Sequence, residues 1–577
     1  MALAAGIATF SPVAASANTS AEYFRARITD STVPALLSQD EKEYYTNLFR
    51  AIDREQWDEV ETLLQNRSEG PLHTVARAEY YTHANSPKVS AEQIAAWLEE
   101  GTLLPQAEQL VRLGEKRGLE YAPPLPQEQR LVRQPYSSKR LLPRTVEDGT
   151  MPSDLRSAIL DRIKNDDPDG ARMLLDGIDA MLSPQARAEW RQRVAWSYYI
   201  ENQDTASLNM AQTVSDGSGE WVAEGDWVAG LAAWRLGDCE TSARAFARSA
   251  SGAANVELRS AAHFWANRAY TRCRQPGEAE RHLASAAQFD ETLYGMLAIE
   301  ARGQDIPAGH TTPDFNSADW QELRSVPNVR TAVSLAEIGR TSLADEVLRH
   351  QARIGDPSQY DSLSRLARDL GMPQTQLWMA YNAPYGTRSE PSLRYPTAKW
   401  SPSNGWQVDP ALAFAHALQE SNFRTAAVSP ANARGLMQIT PITVRQHAGR
   451  LNMSASYVNL NDPEVNLAFG QENLEMLRDS GATQGLLPKI MAAYNAGLTP
   501  VTRWNSEIND QGDPLLYMES IPYWETRSYV AIVMRNYWMY ERQAGVKSFS
   551  RAALAQGMWP TFPYASGGRG IRLTRSN

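Results

Sequence analysis

The sequence predicts an all-α protein with a long N-terminal superhelix of helical repeats followed by a smaller α domain that carries the chemistry. Three observations point there. A recurring phrase of a tight polar turn and an Ala- and Leu-bearing amphipathic segment runs through the first two thirds of the chain. Periodicity then fails between Tyr381 and Trp406 under Pro, Ser, Gly and Asn. Beyond that break lies a nearly unbroken apolar helix that ends on a single acid, Glu420.

The repeats come first. "DREQWDEVETLLQ" from Asp53, "DDPDGARMLLDGI" from Asp166, "NQDTASLNMAQTV" from Asn202, "LGDCETSARAFARSA" from Leu236, "RQPGEAERHLASAA" from Arg274 and "IGRTSLADEVLRHQ" from Ile338 share the phrase. Asp204, Asp238 and Pro276 are spaced 34 and 38 residues apart, one helix pair each, which is the period of a stacked solenoid. Aromatic residues lead into the middle turns, Trp196 and Tyr198, Trp227 and Trp234, then Trp265 and Tyr270. Packing between neighbouring pairs explains them before ligand binding does. Cys239 and Cys273 fall at near-equivalent places in adjacent repeats, so stacking brings them close, and an oxidising compartment would bond them. Two free buried thiols are the alternative.

The segment from Ala122 to Asp154 is rich in Pro and charge but keeps Leu, Val and Tyr, and reads as a long connection inside the superhelix. The domain expectation is a signal peptide at 1–17, a superhelix at 18–324, a helical linker domain at 325–392 and the chemistry-bearing domain at 393–577. The opening run "MALAAGIATFSPVAASA" ends in a small-x-small pattern and reads as an export signal, although it lacks the basic start of one. Nothing later is apolar enough over about 18 residues to span a bilayer.

Composition narrows the function classes. The net charge of −10, from 57 basic and 67 acidic residues, gives no support to nucleic-acid binding. Eight His without ligand spacing and two Cys predict no metal, and no cofactor motif is present. Sixteen Trp and 23 Tyr suit carbohydrate surfaces as well as cores.

In "DPALAFAHALQE", Asp409 is a good N-cap and Pro410 a good first helical residue. Glu420 closes this helix, partly desolvated and facing the negative end of the helix dipole, so both effects favour the protonated acid. Such a carboxyl can donate a proton near neutrality. A frayed surface Glu is the plain alternative. Farther on, Gly497 suits a C-cap and an amphipathic helix runs through Tyr529, Ile532, Val533 and Tyr537.

Glu420-Ser421, "GLMQIT" at 435–440, "AYNAG" at 493–497 and "IPYWETRSYV" at 521–530 together resemble the four motifs of the soluble lytic murein transglycosylases, in order and suitably spaced. The match covers roughly 393–560, and a helical superhelix ahead of it is how the large members of that family are built. The resemblance implies a lysozyme-like α domain that cleaves the MurNAc-β-1,4-GlcNAc bond of peptidoglycan. One Glu would act first as acid and then as base on the C6 hydroxyl of the same sugar, leaving a 1,6-anhydro end. That would explain why a single carboxylate suffices where hydrolytic glycosidases use two.

By motif position the catalytic residue would be Glu420. Ser429, Met437, Gln438, Tyr494, Asn495 and Glu525 would meet substrate, Met437 as an apolar wall against the sugar. Each has a structural alternative: a turn for Ser429, core packing for Met437 and Tyr494, an ion pair for Glu525. Trp524 stands where the family often has a small polar residue, and Phe423 also departs from the pattern.

The partners implied are peptidoglycan glycan strands and, through the superhelix, cell-wall synthesis or secretion proteins. The chain is expected to be monomeric and periplasmic, with association to the outer membrane as a further expectation. The rival readings are a hydrolytic goose-type muramidase, in which Asp462, Glu464 or Glu525 activates water, and a glycan-binding scaffold.

Overall fold

The computed structural model describes residues 19–29, 31–67, 69–307, 313–563 and 571–572; the expected signal segment lies outside them. The fold is helical, with only two-residue and three-residue strands. Each recurring phrase turns in the same way. Glu55, Asp166, Asn202, Gly237, Arg274 and Gly339 all adopt positive φ, between 56° and 79°. A helix begins two residues later in every case, at Trp57, Pro168, Asp204, Cys239, Pro276 and Thr341.

The residue after each left-handed one donates its N–H to the carbonyl five positions back, at 2.9–3.0 Å. This bond closes the preceding helix and reverses the chain, which is why the phrase repeats as a unit. A seventh turn of the same kind, at Gly371 before the Pro373–Tyr381 helix, is not among the phrases picked out in the sequence.

The lead-in aromatics pack between neighbouring pairs. Trp265 is fully buried, with its ring 5.4 Å from Trp234, 6.4 Å from Trp227 and 5.7 Å from Phe246. Cys239, first residue of the Cys239–Gly252 helix, is bonded to Cys273, the C-cap of the Val256–Arg272 helix, with Cα atoms 5.5 Å apart.

Two hydrophobic cores organise the described residues. One joins apolar residues from 37–110 with others from 315–379, so the first helix pairs pack on the segment that follows the repeats. The second runs from Ile159 through the repeats to Ile306 and continues from Leu377 to Phe562. The 122–154 connection has no helix before Ser153 and is anchored at several points. Its Leu131–Arg133 strand pairs antiparallel with Asn382–Pro384. Arg140 binds Glu224 through both oxygens at 2.5 and 2.6 Å, and Trp221 donates to the Arg144 carbonyl at 3.0 Å.

The chemistry-bearing region gathers around the Pro410–Ser421 helix, which packs on the Trp524–Gln543 helix. Asp409 caps the first of these by accepting from the Ala411 N–H, and it also accepts from the Tyr537 hydroxyl at 3.0 Å and from Ser20. Ser20 belongs to the Ser20–Thr29 helix, whose Phe24 sets its ring edge-on against Phe414 at 5.2 Å. Superhelix and C-terminal region also meet through Arg535 and Glu257 at 3.0 Å and through Tyr199 and Ser520 at 2.9 Å.

Candidate active site

Glu420 sits in the last turn of the Pro410–Ser421 helix, and the chain turns sharply just after it. Asn422 and Phe423 both take left-handed φ, 51° and 60°, which is rare for two consecutive non-glycine residues and costs backbone energy. Burial of the Phe423 ring, 5.9 Å from Phe414, holds this turn in place. The half-buried Glu420 side chain is left at the end of an apolar helix.

Burial is the main reason its carboxyl is pushed up from 4.5 to about 7, and the charge of Glu525 adds to this. One contact works the other way. The Tyr529 hydroxyl donates to Glu420 Oε1 at 2.7 Å and favours the carboxylate. Tyr529 in turn lies 2.8 Å from His416 Nδ1. His416 has no exposed surface, and burial pushes it down to about 3, so the ring is neutral. Because the tyrosine proton points to Glu420, its oxygen accepts from His416, which fixes the Nδ1–H tautomer. The result is a directed row, His416 to Tyr529 to Glu420, aimed at the carboxyl.

Tyr494 buttresses this row. Its ring lies nearly parallel to Tyr529 at 6.4 Å and 4.5 Å from His416, and its hydroxyl donates to the Met437 carbonyl at 2.7 Å. That bond ties the 435–440 loop to the acid. The loop is further fixed by Asn466 of the Pro463–Asp479 helix, fully buried, whose Oδ1 accepts from Met437 N at 2.8 Å. Its Nδ2 donates to the carbonyls of Arg434 and Leu460, both at 2.9 Å. Gly435, at φ 73°, leaves the room this requires, since a Cβ there would lie 2.2 Å from the Leu460 oxygen.

The remaining residues fall as follows. Met437 has no exposed surface, and its Sδ lies where a Cβ on Gly470 would be, 2.1 Å away, so it stands behind the cleft wall. Gln438, at φ 49°, is half-buried and donates to the Gly435 carbonyl at 2.9 Å. Ser429 is half-buried and accepts from the Ala433 N–H at 3.1 Å, which closes its turn. Asn495 accepts from Thr526 at 2.6 Å. Glu525 is exposed in the first turn of the Trp524–Gln543 helix.

Tyr494 thus links Met437 to the row that ends on Glu420, and Glu525 reaches the acid through its charge. Ser429 and Gln438 lie in the neighbouring loop. Sequence reasoning missed His416, Tyr529 and Asn466 as site residues. His416 had a signal: it interrupts the apolar run from Ala411 to Leu418, four positions before Glu420 and therefore on its face. Asp462, a sequence candidate for a second acid, N-caps the Pro463–Asp479 helix by accepting from Glu464 N at 2.9 Å. Glu464 is exposed.

The site alone describes a proton donor held ready in a low-dielectric setting. Comparison with known proteins adds what it is similar to. Residues 400–516 match the family model of the Transglycosylase SLT domain. A Haemophilus influenzae protein named among the soluble lytic murein transglycosylases is 31% identical over 272 residues, 44% of this chain and 43% of that one. The soluble lytic murein transglycosylase of Escherichia coli K12 is 33% identical over 135 residues, 23% of this chain and 20% of that one. The matches therefore span less than half the length of these curated relatives. The crystal structure of the 70 kDa soluble lytic transglycosylase of Escherichia coli overlays with a TM-score of 0.51 over 89% of this chain and 99% of that one, at 17% identity. That likeness bears on the fold, a helical superhelix followed by a lysozyme-like domain.

Proposed function

We propose that this chain, whose residues 400–516 carry a transglycosylase SLT domain, is a peptidoglycan lytic transglycosylase that cleaves the MurNAc-β-1,4-GlcNAc bond without water. The observation that carries this reading is the desolvated carboxyl of Glu420, held protonated up to about pH 7 with a tyrosine hydroxyl aimed at it. In the first step Glu420 gives its proton to the glycosidic oxygen as the bond to the MurNAc C1 breaks. The positive charge left on that sugar is met by its own acetamido oxygen. Glu420, now a carboxylate steadied by Tyr529, takes the proton of the C6 hydroxyl while that oxygen bonds to C1. The 1,6-anhydro ring closes and the acid is restored, so no second carboxylate has work to do. The attacking hydroxyl is tethered to the reacting carbon, which supplies the high effective concentration that water lacks.

In this reading Ser429, Gln438, Asn495 and Glu525 contact the sugars or their side groups, Tyr494 positions the acid, and Met437 shapes the wall from behind. Against Asp462 and Glu464 as the second acid of the hydrolytic alternative stand the employment of Asp462 as a helix cap and the exposure of Glu464; Glu525, whose charge Glu420 feels, is the acid that product analysis tests. A periplasmic location suits both the substrate and the Cys239–Cys273 bond. The domain limits proposed remain 18–324, 325–392 and 393–577.

The test is digestion of purified sacculi followed by mass analysis. Products lighter by one water than hydrolytic muropeptides are expected, together with loss of about a thousandfold or more of activity in Glu420→Gln. Hydrated products, or an active Glu420→Gln protein, would overturn the reading.

A further inference from the structure

Trp524, the departure in the last motif, does not join the cleft. Its indole faces the superhelix, where it meets Trp196 and Trp227 of the repeats around a cavity of about 100 Å³ that Leu160 and Ile163 also line. Arg527 reaches into the same space. Its guanidinium carbon lies 4.1 Å from the Trp196 ring centre and 5.1 Å from that of Trp524, in cation–π contact with both indoles. A planar cation held against aromatic rings hydrogen-bonds along its edge, and that edge suits a carboxylate through two parallel bonds.

The edge has no such partner in the protein. Arg527 is 9% exposed, yet among the described residues its only hydrogen bond runs from Nε to the Ile521 carbonyl at 3.2 Å, and no carboxylate lies within ion-pair reach. The neighbouring acids are engaged elsewhere. Glu224 gives both oxygens to Arg140, Glu189 binds Arg193, and Glu519 accepts from Tyr294 at 2.6 Å. Burial without a close counter-ion pushes the guanidinium down to about 10, although Glu519 pulls it back up through space. A buried cation without a close anion is costly to keep and marks a place where an anion is wanted.

We propose that this three-tryptophan chamber is a second substrate subsite that takes the carboxylate end of a peptide branch, with an alanine-sized methyl among the indoles and the carboxylate on the Arg527 edge. Three features fix that chemistry. The volume holds one small residue and excludes a pyranose ring. The open wall is mainly indole and aliphatic, although Arg140, Gln192, Arg193 and Glu224 also border it. Arg140 is paired with Glu224 and Arg193 with Glu189, so of the three cations at this wall Arg527 alone has no ion pair among the described residues. Trp524 directly precedes Glu525, whose charge Glu420 feels, so a branch attached to a sugar in the cleft has a short path to the chamber. The assignment rests on the peptidoglycan reading only for the source of the peptide.

The experiment is calorimetric titration of the full chain with N-acetyl-D-alanyl-D-alanine, its C-terminal amide, and the trimer of N-acetylglucosamine. The acid is expected to bind the parent and Glu420→Gln proteins alike, and about tenfold or more weaker in Arg527→Gln. The amide is expected to bind at least about tenfold weaker than the acid. Trp524→Ser removes one of the two indole contacts of Arg527 without removing a buried charge, so it covers the case in which Arg527→Gln fails to fold; a weakening of about threefold or more is expected. The proposal is overturned if the acid does not bind, if acid and amide bind equally, if Trp524→Ser binds the acid as the parent does, or if the sugar trimer is the probe that Trp524→Ser loses. Hydrated products from sacculi would sink the proposed reaction and leave this titration standing, and the reverse outcome separates them equally well.

Discussion

Glu420 holds its proton because the helix that carries it is apolar on nearly every face, and Tyr529 limits how far that effect goes. A group that must first donate should lose activity as it ionises, so the rate on sacculi is expected to fall above about pH 7. Tyr529→Phe removes the bond that favours the carboxylate. The acid then holds its proton longer, and the alkaline limb of the pH–rate profile should move upward by about half a unit to one unit, with a lower maximum because the base step loses its support. A pH profile that stays in place or moves down would show that Tyr529 does not set the acid.

The same shift has a sign in stability. The folded state keeps a proton that the unfolded chain has already lost, so Glu420 costs the fold stability progressively as pH rises from about 4.5 to about 7. Glu420→Gln should therefore melt above the parent at pH 8, by the equivalent of about 1–3 kcal/mol for this half-buried group, and match it near pH 4. The acid itself was legible in the sequence because its desolvation and its dipole environment are both local. His416 and Tyr529 were not legible as its partners, since Tyr529 comes from a helix 109 residues away. Met437 could be picked out by motif, but its burial against Gly470 depends on a helix whose placement no local pattern specifies.

Elements owe their arrangement to turns and to a few shared polar anchors. The repeat phrase could be read because every copy places a left-handed residue two positions before a helix, a purely local rule. The same rule holds at Gly371, before "PQTQLWMAY", a copy passed over in the sequence. The 435–440 loop is anchored through one side chain. Asn466→Ala would leave the Met437 N–H and the Arg434 and Leu460 carbonyls without their partner, and is expected to cost about 3 kcal/mol or more. Chemical denaturation measures that loss. Activity should fall with it even below the melting range, since the loop reaches the acid through Tyr494. A variant with full activity and unchanged stability would mean that the loop holds itself.

For the molecule as a whole, the repeat period foresaw a solenoid, while the packing of its first pairs against 315–379 rests on contacts hundreds of residues apart that periodicity does not encode. The cysteine pair was half-readable: the repeat brought the two close, and the bond itself depended on geometry. That bond closes a loop of 34 residues, for which the chain-entropy model gives about 3–4 kcal/mol. Replacing both cysteines with serine is expected to lower the melting temperature of the superhelix transition. The rate on sacculi at 25 °C should stay the same, because neither residue touches the acid's surroundings. Calorimetry and an activity assay on the same sample check both parts, and a fall in rate at temperatures where the variant remains folded would contradict the second.

The Ser20–Thr29 helix, seated on the helix that carries Glu420, makes the catalytic unit a composite of the two ends of the chain. Residues 393–577 produced as an isolated fragment would lack the Phe24 ring against Phe414 and the Ser20 hydroxyl on Asp409. A synthetic peptide spanning 19–29, added in trans, should then raise both the fragment's melting temperature and its rate, a split-protein complementation.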